Sequence, residues 1–570
     1  MTATQWIFPA PLSPQAESAC LSLAQALVLP PILTRLLWQR GIQQLPTAQH
    51  FMQAEADQLP SPFLLRDMHQ AVERLDRAIE RGEKILLYGD YDVDGTAAVA
   101  LLYRFLRGRG ATLDYYLPDR YREGYGLSST GVAYARDTGV DLLICLDCGI
   151  KAHATIQEAR DHGIDVIVCD HHLPDEQLPP ALAVLDPKRP DCDYPHPDLC
   201  GTGVAFKLAQ AYALAQGLPE AHTEHLLDLV LVATASDIVP LTGENRILAR
   251  LGLRRLNEQP QPGLAALIRR SQRVPPLTVS DVVFGLGPMI NAAGRLGDAR
   301  DAVRLLLAPD VAAAAPLAQH LEAQNDTRKS VDRAMAEEAK ALFLARADWE
   351  ERASIVLFRP DWHKGVVGIV ASRMVDWFQR PSVILTESEG QIVGSARSVR
   401  GFDLHGALGQ CAQHLSNYGG HRYAAGLTVK TGQLAAFQQD FERLVSETLD
   451  STSRVATIEL AGELDLSEVD FDFWRQLQRL APFGPGHRQP IFYSKAVRSI
   501  GAVRLLKGQH LKFDIDRPGQ SPLGAIAFGQ GAHWAAVSQG TFDVCYTLRD
   551  NYWRGTHHLQ LQVRDIRVEK

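Results

Sequence analysis

The sequence of 570 residues lacks any apolar run close to the roughly 18 residues that a membrane-spanning helix requires. No basic residue precedes Arg35, and Pro30 and Pro31 interrupt the mildly apolar N-terminal stretch, which argues against a secretory signal peptide. The 8 cysteines are scattered along the chain, as is typical of reduced thiols in a cytoplasmic protein. We therefore expect a cytoplasmic protein that does not enter a membrane.

Several ligand-binding signatures are also missing. No G-x-G-x-x-G follows the first predicted strand, where Gly89 precedes acidic residues that would repel a pyrophosphate, so a Rossmann oxidoreductase is excluded. The absence of a G-x-x-x-x-G-K-[ST] loop argues against an ATP-driven motor. Cys145 and Cys148 have no second Cys or His pair at a spacing that would complete a zinc site.

The composition that remains is that of an ordinary globular protein. The chain is 46% hydrophobic and 22% charged, and its length predicts three or four domains at about 150 residues each. The net charge of −8 is unevenly distributed, because residues 484–570 hold 12 Lys and Arg against 6 Asp and Glu. A basic C-terminal module on an acidic body indicates a surface for a phosphate backbone; the alternative is an ordinary solvated surface.

A parallel sheet is predicted in the first half of the chain. Short apolar strands alternate there with amphipathic helices, the pattern of a sheet covered on both faces. The strands are predicted at 84–88, 141–146, 165–169 and 183–185, with helices at 96–107 and 153–162. In such sheets ligands bind at the carboxyl ends of the strands.

Acidic and imidazole side chains follow these strands. Three clusters come directly after a predicted strand and a fourth follows a helix-like apolar run. They are GDYDVDG at 89–95, LDCG at 146–149, DHH at 170–172 and SDIVP at 236–240. Each alone could be a solvated turn, but four in succession predict one metal site assembled from separate segments.

The chemistry of the predicted site follows from its ligands. Oxygen ligands suit Mg²⁺ or Mn²⁺, and an added imidazole favours Mn²⁺. Two such ions about 3.5–4 Å apart are the usual arrangement for in-line attack on a phosphodiester. The residues alone therefore predict a two-metal phosphoesterase with a basic β-module.

Further domains are predicted after the sheet. A glycine-free, Ala- and Glu-rich stretch predicts a long helix after Pro316, a second α/β pattern follows, and the last section has short strands separated by turns. The predicted divisions are an N-terminal extension at 1–60, the catalytic domain at 61–308, a connecting helix at 309–348, a smaller α/β domain at 349–453 and an all-β domain at 454–570.

The four clusters, in this order, resemble the motifs of the DHH phosphoesterase superfamily. Within it, the whole chain is most similar to the RecJ family, bacterial exonucleases that degrade single-stranded DNA from 5′ to 3′. Three further blocks agree with that family: LGPMINAAGR at 286–295, GSARS at 394–398 with GGHRYAAG at 419–426, and PFGPG at 482–486. The first block departs at Met289, where the family more often has Arg.

The resemblance implies a fold and an activity. The fold is α/β and multidomain, with a parallel-sheet DHH domain, a long connecting helix, a smaller α/β DHHA1 domain and a C-terminal all-β OB-fold. The activity is a metal-dependent exonuclease that releases mononucleotides from single-stranded DNA during recombination and repair, with two Mn²⁺ or Mg²⁺ ions. The implied partners are single-stranded DNA, a single-stranded-DNA-binding protein and a DNA helicase, and the protein is expected to be a monomer.

The resemblance also assigns roles in the metal centre. The matching metal ligands are Asp90, Asp92, Asp94, Asp147, His171 and Asp237. Asp147 corresponds to the bridging carboxylate, and Asp90 either binds a metal or supports the residues that do. His172 joins the catalytic set, where it positions a phosphate or holds a ligand, and Asp170 is expected to orient His171.

A second set of residues is implied to hold the DNA. Arg120, in PDRYREGYG at 118–126, matches an arginine that binds the terminal phosphate, and an arginine fork suits phosphate oxygens. The remaining members are Arg295, Ser395, Arg397, Gly419, Gly420 and His421. Without the resemblance, the alternatives are that Arg120 and Arg397 form ordinary surface or interdomain ion pairs and that Gly419–Gly420 is a simple turn capped by His421.

Two other functions remain open for a DHH protein. One is cleavage of short oligonucleotides, cyclic dinucleotides or pyrophosphate, against which the basic module argues. The other is a catalytically silent scaffold, against which the complete set of motif carboxylates argues. In the basic module, aromatic side chains could stack on bases, and about half of them are expected to be core. The aromatic set is Phe492, Tyr493, Phe513, Phe528, Trp534, Tyr546, Tyr552 and Trp553.

Overall fold

The computed structural model describes residues 4–219, 221–450, 455–553 and 555–568. The chain forms two compact units: Glu55–Arg454 is one, and Met1–Ala54 together with Val455–Lys570 is the other. The boundary predicted at 453/454 lies outside the described residues. Within those residues no single helix is long and apolar enough to cross a membrane, although the sharply bent pair Pro14–Leu27 and Pro31–Gln39 passes by length and composition together.

The centre of the Glu55–Arg454 unit is a sheet of five parallel strands. Their order across the sheet is Thr112–Tyr116, Lys84–Gly89, Leu142–Leu146, Asp165–Cys169 and Ala183–Leu185. The three middle strands are almost entirely buried, since helices cover both faces and leave no polar side to the strands. All the predicted strands are present, and the edge strand Thr112–Tyr116 is additional.

Helices surround this sheet and extend beyond it. Their apolar faces form the core, and the helix Leu227–Ser236 is buried along nearly its whole length. The helices are Met68–Arg81, Val93–Arg107, Ser129–Asp137, His153–Asp161, Gly201–Ala215, Ala221–Glu224, Leu227–Ser236, Gly243–Glu258, Pro262–Ser271, Val279–Asp281, Gly287–Leu296 and Arg300–Leu306, with a π-helical turn at Val282–Leu286.

The long helix spans Val311–Leu344, which is about 51 Å at 1.5 Å per residue. It begins before Pro316, and not after it as the sequence predicted. Asp310 caps the start, because its side chain accepts a hydrogen bond of 2.8 Å from the Ala313 N–H. Pro316 lies in the second turn, where it removes one backbone hydrogen bond without ending the helix.

The smaller lobe of this unit has a mixed sheet. Its strand order is Leu415–His421, Ala424–Val429, Gln391–Arg397, Ser382–Ser388 and Ile355–Phe358; only the last two strands are parallel. The helices are Val367–Phe378, Leu404–Gln410 and Leu434–Thr448. The sequence had not predicted the hairpin of Leu415–His421 with Ala424–Val429, whose outer strand is mostly exposed.

The second unit is built on a barrel. Six strands pair in the order Gly462–Glu463, Phe492–Leu506, His510–Ile515, Leu523–Ala527, Thr556–Arg567 and Thr541–Trp553, and Phe492–Leu506 also pairs with Thr541–Trp553 to close it. Gln5–Ile7 and Thr457–Glu459 form a separate parallel pair. The helices are Pro14–Leu27, Pro31–Gln39, Leu45–Gln53, Phe471–Gln478 and Trp534–Gln539. The N-terminal helices share the hydrophobic core of the barrel.

Candidate active site

Three parallel strands deliver acidic side chains to one edge of the central sheet. The strands end at Gly89, Leu146 and Cys169, and Asp90, Asp147 and Asp170 come next in the chain. Asp147 has a φ of 61°, the left-handed conformation that few residues other than glycine and Asn or Asp adopt. This sharp turn directs the chain away from the sheet directly after the strand.

His171 is the point at which the predicted ligands meet. Its Nε2 lies 3.1 Å from Asp147 Oδ1, 3.8 Å from Asp94 Oδ2 and 3.7 Å from Asp237 Oδ2. Asp237 reaches this point from the carboxyl end of the helix Leu227–Ser236. All four sequence clusters are thus brought together, as their positions at the ends of strands and of a helix had predicted.

Asp92 and Asp94 are held by backbone N–H groups. Asp92 caps the helix Val93–Arg107, and its Oδ1 accepts hydrogen bonds from the Asp94 and Gly95 N–H groups at 2.8 and 3.2 Å. The Asp94 carboxylate faces the N-terminus of another helix, Gly201–Ala215. The Gly201 and Thr202 N–H groups of that helix each donate a hydrogen bond to it at 2.7 Å. Sequence reasoning had not found the role of Gly201 and Thr202.

The predicted orienting role of Asp170 is corrected by the structure. Its Oδ1 accepts 2.7 Å hydrogen bonds from the His171 backbone N–H and from the ring Nδ1 of His172, so the ring that it orients is that of His172. Burial raises the pKa of Asp170, but the contacts with His172 outweigh burial and lower it to about 2. The same bond raises the pKa of His172 against the effect of burial.

Tyr125 is a further residue of the site that sequence reasoning missed. Its hydroxyl donates to the backbone carbonyl of Asp147 at 3.1 Å and lies 3.0 Å from the Nδ1 of His172. The His172 ring also stacks on the His421 ring, with centroids 6.1 Å apart and an interplanar angle of 12°. The smaller lobe therefore contributes a side chain directly beside the acidic cluster.

Several polar atoms in this cluster are buried with no hydrogen-bond partner. Among the described residues they are Asp90 Oδ1, Asp147 Oδ1 and both ring nitrogens of His171; the 3.1 Å contact between His171 Nε2 and Asp147 Oδ1 lacks the geometry of a hydrogen bond. Burial, followed by neighbouring carboxylates, raises the pKa of Asp90 and of Asp147 well above the usual range. Burial also lowers the pKa of His171 to about 4, so its ring is neutral near pH 7. Crowded carboxylates and a neutral imidazole are the donor set of a divalent metal.

The predicted phosphate residues lie on both lobes. Arg397 donates to Ser395 Oγ at 2.8 Å on the strand Gln391–Arg397. Arg295 donates to the Gly365 carbonyl at 3.1 Å, just before the helix Val367–Phe378. The Arg120 guanidinium lies 4.8 Å from the centre of the Tyr91 ring. Among the described residues Arg120, Arg295 and Arg397 form no ion pair. The alternative that Arg120 and Arg397 serve in ordinary ion pairs is therefore not supported.

The Gly419–Gly420–His421 segment is a strand and not a capped turn. It pairs with Ala424, Ala425 and Gly426 of the neighbouring strand. Gly420 has a φ of 141°, and a Cβ there would lie 2.3 Å from the Ala424 carbonyl oxygen. Glycine is therefore required at this position, and no side chain projects from the strand directly before His421.

The aromatic side chains of the barrel divide into two groups. Phe492, Phe513 and Tyr546 are in the core, and Tyr493 is 9% exposed. Phe528, Trp534 and Tyr552 are exposed by 52%, 43% and 55%. The side chain of Trp553 lies outside the described residues. The exposed group is the part available for stacking on bases.

Comparisons with known proteins agree with this architecture. The profile of the DHH family, N-terminal domain, matches residues 84–234, the DHHA1 domain matches 352–447 and the RecJ OB domain matches 460–565. The single-stranded-DNA-specific exonuclease RecJ of Dickeya dadantii is 36% identical over 559 residues, which are 94% of this chain and 96% of that protein. The chain belongs to the RecJ family.

Solved structures extend the match to the RecJ fold. The crystal structure of RecJ from Thermus thermophilus in complex with Mn²⁺ has a TM-score of 0.85 and 30% identity, and covers all of this chain and 80% of its own. The same protein in complex with Mg²⁺ matches with a TM-score of 0.78 and 29% identity, covering all of this chain and 79% of its own. The α/β fold with a C-terminal OB domain is thereby confirmed.

The residues present fit the metals of the RecJ family. Three groups of side chains have ligand atoms within 4.8 Å of one another: Asp90 with Asp92 and Asp147, Asp94 with His171 and Asp237, and Asp147 with His171 and His172. Two groups share Asp147, and its Oδ1 is one of the unpartnered atoms. Carboxylate and imidazole donors suit Mn²⁺ or Mg²⁺.

Proposed function

We propose that this protein is a metal-dependent exonuclease that degrades single-stranded DNA from 5′ to 3′ and releases mononucleotides. The observation that carries the proposal is the cluster of unpartnered carboxylate and imidazole atoms of Asp90, Asp147 and His171, in a member of the RecJ family. Phosphodiester hydrolysis is the reaction that such a donor set serves when it holds two divalent ions.

Two sets of side chains would hold the two metal ions. Asp90, Asp92 and Asp147 would hold one ion, Asp94, His171 and Asp237 the other, and Asp147 would be shared. Bound Mn²⁺ or Mg²⁺ would supply Lewis acidity and offset the negative charge that develops on the leaving oxygen. His171 serves as a neutral ligand, because burial keeps its pKa low.

His172 is proposed to position the scissile phosphate. Asp170 and Tyr125 both contact its ring at Nδ1, and the bond to Asp170 raises the pKa of His172, so the ring can donate a proton in a hydrogen bond to an anionic oxygen. His421, stacked on the same ring, is placed to contact the strand from the smaller lobe. Gly419 and Gly420 would let the DNA backbone approach closely.

The 5′ polarity is proposed to come from the arginine pocket. Arg120, Arg295 and Arg397 offer charged donors and Ser395 offers a hydroxyl donor, which together suit a terminal phosphate, and a bidentate fork favours a dianion over a hydroxyl. A pocket that receives a terminus cannot accept the middle of a strand. Linear DNA with a 5′ phosphate is therefore the proposed substrate.

The proposal places the protein in the cytoplasm, in DNA recombination and repair. The family resemblance supports a single-stranded-DNA-binding protein and a DNA helicase as partners. The exposed Phe528, Trp534 and Tyr552 of the barrel support its proposed role in binding single strands. No step here requires ATP.

End-labelled DNA tests the proposal. Purified protein with Mn²⁺ or Mg²⁺ should release mononucleotides from the 5′ end of linear single strands, and should spare duplex DNA and circular single strands. A 5′ phosphate should be preferred to a 5′ hydroxyl, and EDTA should stop the reaction. Products released from the 3′ end, cleavage of circles, or hydrolysis confined to cyclic dinucleotides or very short oligonucleotides would contradict it.

A further inference from the structure

Four half-buried arginines gather in the Glu55–Arg454 unit: Arg120, Arg295, Arg328 and Arg397. In the part of the chain that the structure describes, none of them pairs with a carboxylate at ion-pair distance. Partly buried positive charges without counter-ions are costly unless a ligand supplies the negative charge. The resemblance accounts for three of these arginines, and Arg328 has no assigned role.

Arg328 lies on the long helix Val311–Leu344 and has a neutral partner. Its Nε and Nη2 both donate to Asn325 Oδ1, at 3.2 and 2.9 Å, and Asn325 is almost fully buried. The carboxylate one turn further along, Asp332, is occupied, because Arg373 donates to it at 2.9 and 2.7 Å. Arg328 is therefore fixed in orientation and forms no ion pair among the described residues, although the nearby charge of Asp332 acts favourably on it.

The packing of the long helix directs Arg328 toward Arg295. The helix Gly287–Leu296, which carries Arg295, packs against Val311–Leu344. The approach is close, since a Cβ on Gly297 would lie 2.3 Å from the Gln324 side chain, one turn before Arg328. Burial, and then the charges of Arg120, Arg328 and Arg397, lower the pKa of Arg295 to about 10. The charges of Arg120, Arg328 and Arg397 thus act unfavourably on that of Arg295 until an anion binds.

We propose that Arg328 is a specificity-determining residue that, with Arg295, selects substrates carrying a phosphate at the 5′ end. This inference rests on the proposed exonuclease function and deepens it. A terminal phosphate brings up to two negative charges into the cluster and relieves the repulsion, whereas a 5′ hydroxyl brings none. Asn325 is a positioning residue, because it holds the Arg328 fork in place.

The test compares Arg328→Gln with the wild-type protein on one oligonucleotide that carries either a 5′ phosphate or a 5′ hydroxyl. The ratio of kcat/KM for the two ends should fall roughly 10-fold or more, entirely through the phosphorylated substrate. Arg328→Lys should keep part of the preference, since it retains the charge and removes the fork. Lys329→Gln is the matched control: it removes one positive charge at the next position of the same helix, where Lys329 pairs with exposed Asp326.

Each outcome decides between the alternatives. An unchanged ratio in Arg328→Gln, or equal reductions on both substrates at an unchanged thermal midpoint, would overturn the role of Arg328. If Arg328→Gln does not fold, Asn325→Ala and Arg328→Lys carry the test, and an unchanged ratio in both would refute it. A wild-type protein that has no preference for a 5′ phosphate would refute the proposed 5′ pocket itself, a separate result.

Discussion

Asp147 combines two properties that do not favour folding. It adopts a left-handed φ of 61°, and its carboxylate is buried among other carboxylates with one oxygen unpartnered. Conformations of this kind cost about 1–3 kcal/mol and persist where the surrounding structure over-determines them. Both features are expected of a ligand shared by two metal ions, for which the unfavourable charge is offset only on binding.

Asp147→Asn should abolish hydrolysis and leave the fold intact. Asn tolerates the left-handed conformation and has nearly the same shape, so the change removes the charge and replaces one carboxylate oxygen with an NH2 group. Removal of a shared ligand should lower kcat by at least ~10³-fold, about 4 kcal/mol. Steady-state assays at saturating Mn²⁺, with single-strand binding and circular dichroism as controls, measure this. Near-wild-type kcat would remove Asp147 from the metal centre.

Metal should stabilise the protein more at high pH than at low pH. The pKa values of Asp90 and Asp147 are raised in the folded protein, so the metal-free folded state binds more protons than the unfolded state. Its stability therefore falls as pH rises through those pKa values. Bound cations replace the protons, and the Mn²⁺-induced rise in Tm should grow as pH rises through those pKa values. A Mn²⁺ effect on Tm independent of pH would contradict this.

At the scale of the elements, the start of the helix Gly201–Ala215 positions Asp94 and Asp147 of the proposed metal centre. A Cβ on Gly201 would lie 2.6 Å from Asp147 Cβ and 2.8 Å from its Oδ1, whereas a Cβ on Gly203 would make ordinary contacts with Leu199 at 3.4 Å and Cys200 Sγ at 3.7 Å. The helix can therefore present its N–H groups to Asp94 only if residue 201 has no side chain.

Gly201→Ala should weaken Mn²⁺ binding and lower activity, while Gly203→Ala should resemble the wild type. Overpacking of this kind costs typically about 1–3 kcal/mol, and here the displaced group is Asp147 itself. Calorimetric titration with Mn²⁺ and kcat on single-stranded DNA compare the two variants. Equal behaviour of both variants would mean that the helix start does not set the position of Asp147.

The elements that the sequence predicted are those with one dominant signal. The strands that end at Gly89, Leu146 and Cys169 are continuous apolar runs followed by charged residues, so their bounds and the convergence of the clusters followed directly. Thr112–Tyr116 was missed, because this edge strand is only half-buried and mixes polar with aromatic residues. Asp170 was predicted to orient His171, but its carboxylate bonds to the ring of His172. Spacing along the chain does not show which of two adjacent imidazoles bonds to the carboxylate.

At the scale of the whole molecule, one compact unit is formed by both ends of the chain, and the other unit by the segment between them. The sequence predicted an accessory extension at 1–60, but Met1–Ala54 belongs to the same compact unit as Val455–Lys570. Leu33 and Leu37 are completely buried in one core with Phe492 and Val544 of the barrel. A protein cut after residue 454 would therefore keep helices whose apolar faces no longer have the barrel to pack against, and should aggregate.

The fragment 55–454 should fold and act without the barrel unit. It contains the central sheet, the smaller lobe and all the residues proposed to hold metal and phosphate, so hydrolysis of short 5′-phosphorylated oligonucleotides should persist. It lacks the 12 Lys and Arg of 484–570. The slope of log affinity against log salt concentration is negative. For single strands, each phosphate that the protein no longer neutralises reduces the magnitude of this slope by about 0.7. Fluorescence anisotropy on a long single strand should therefore show weaker binding with a flatter dependence on salt, whereas binding as tight and as salt-dependent as that of the full chain would rule out the barrel unit as the single-strand anchor.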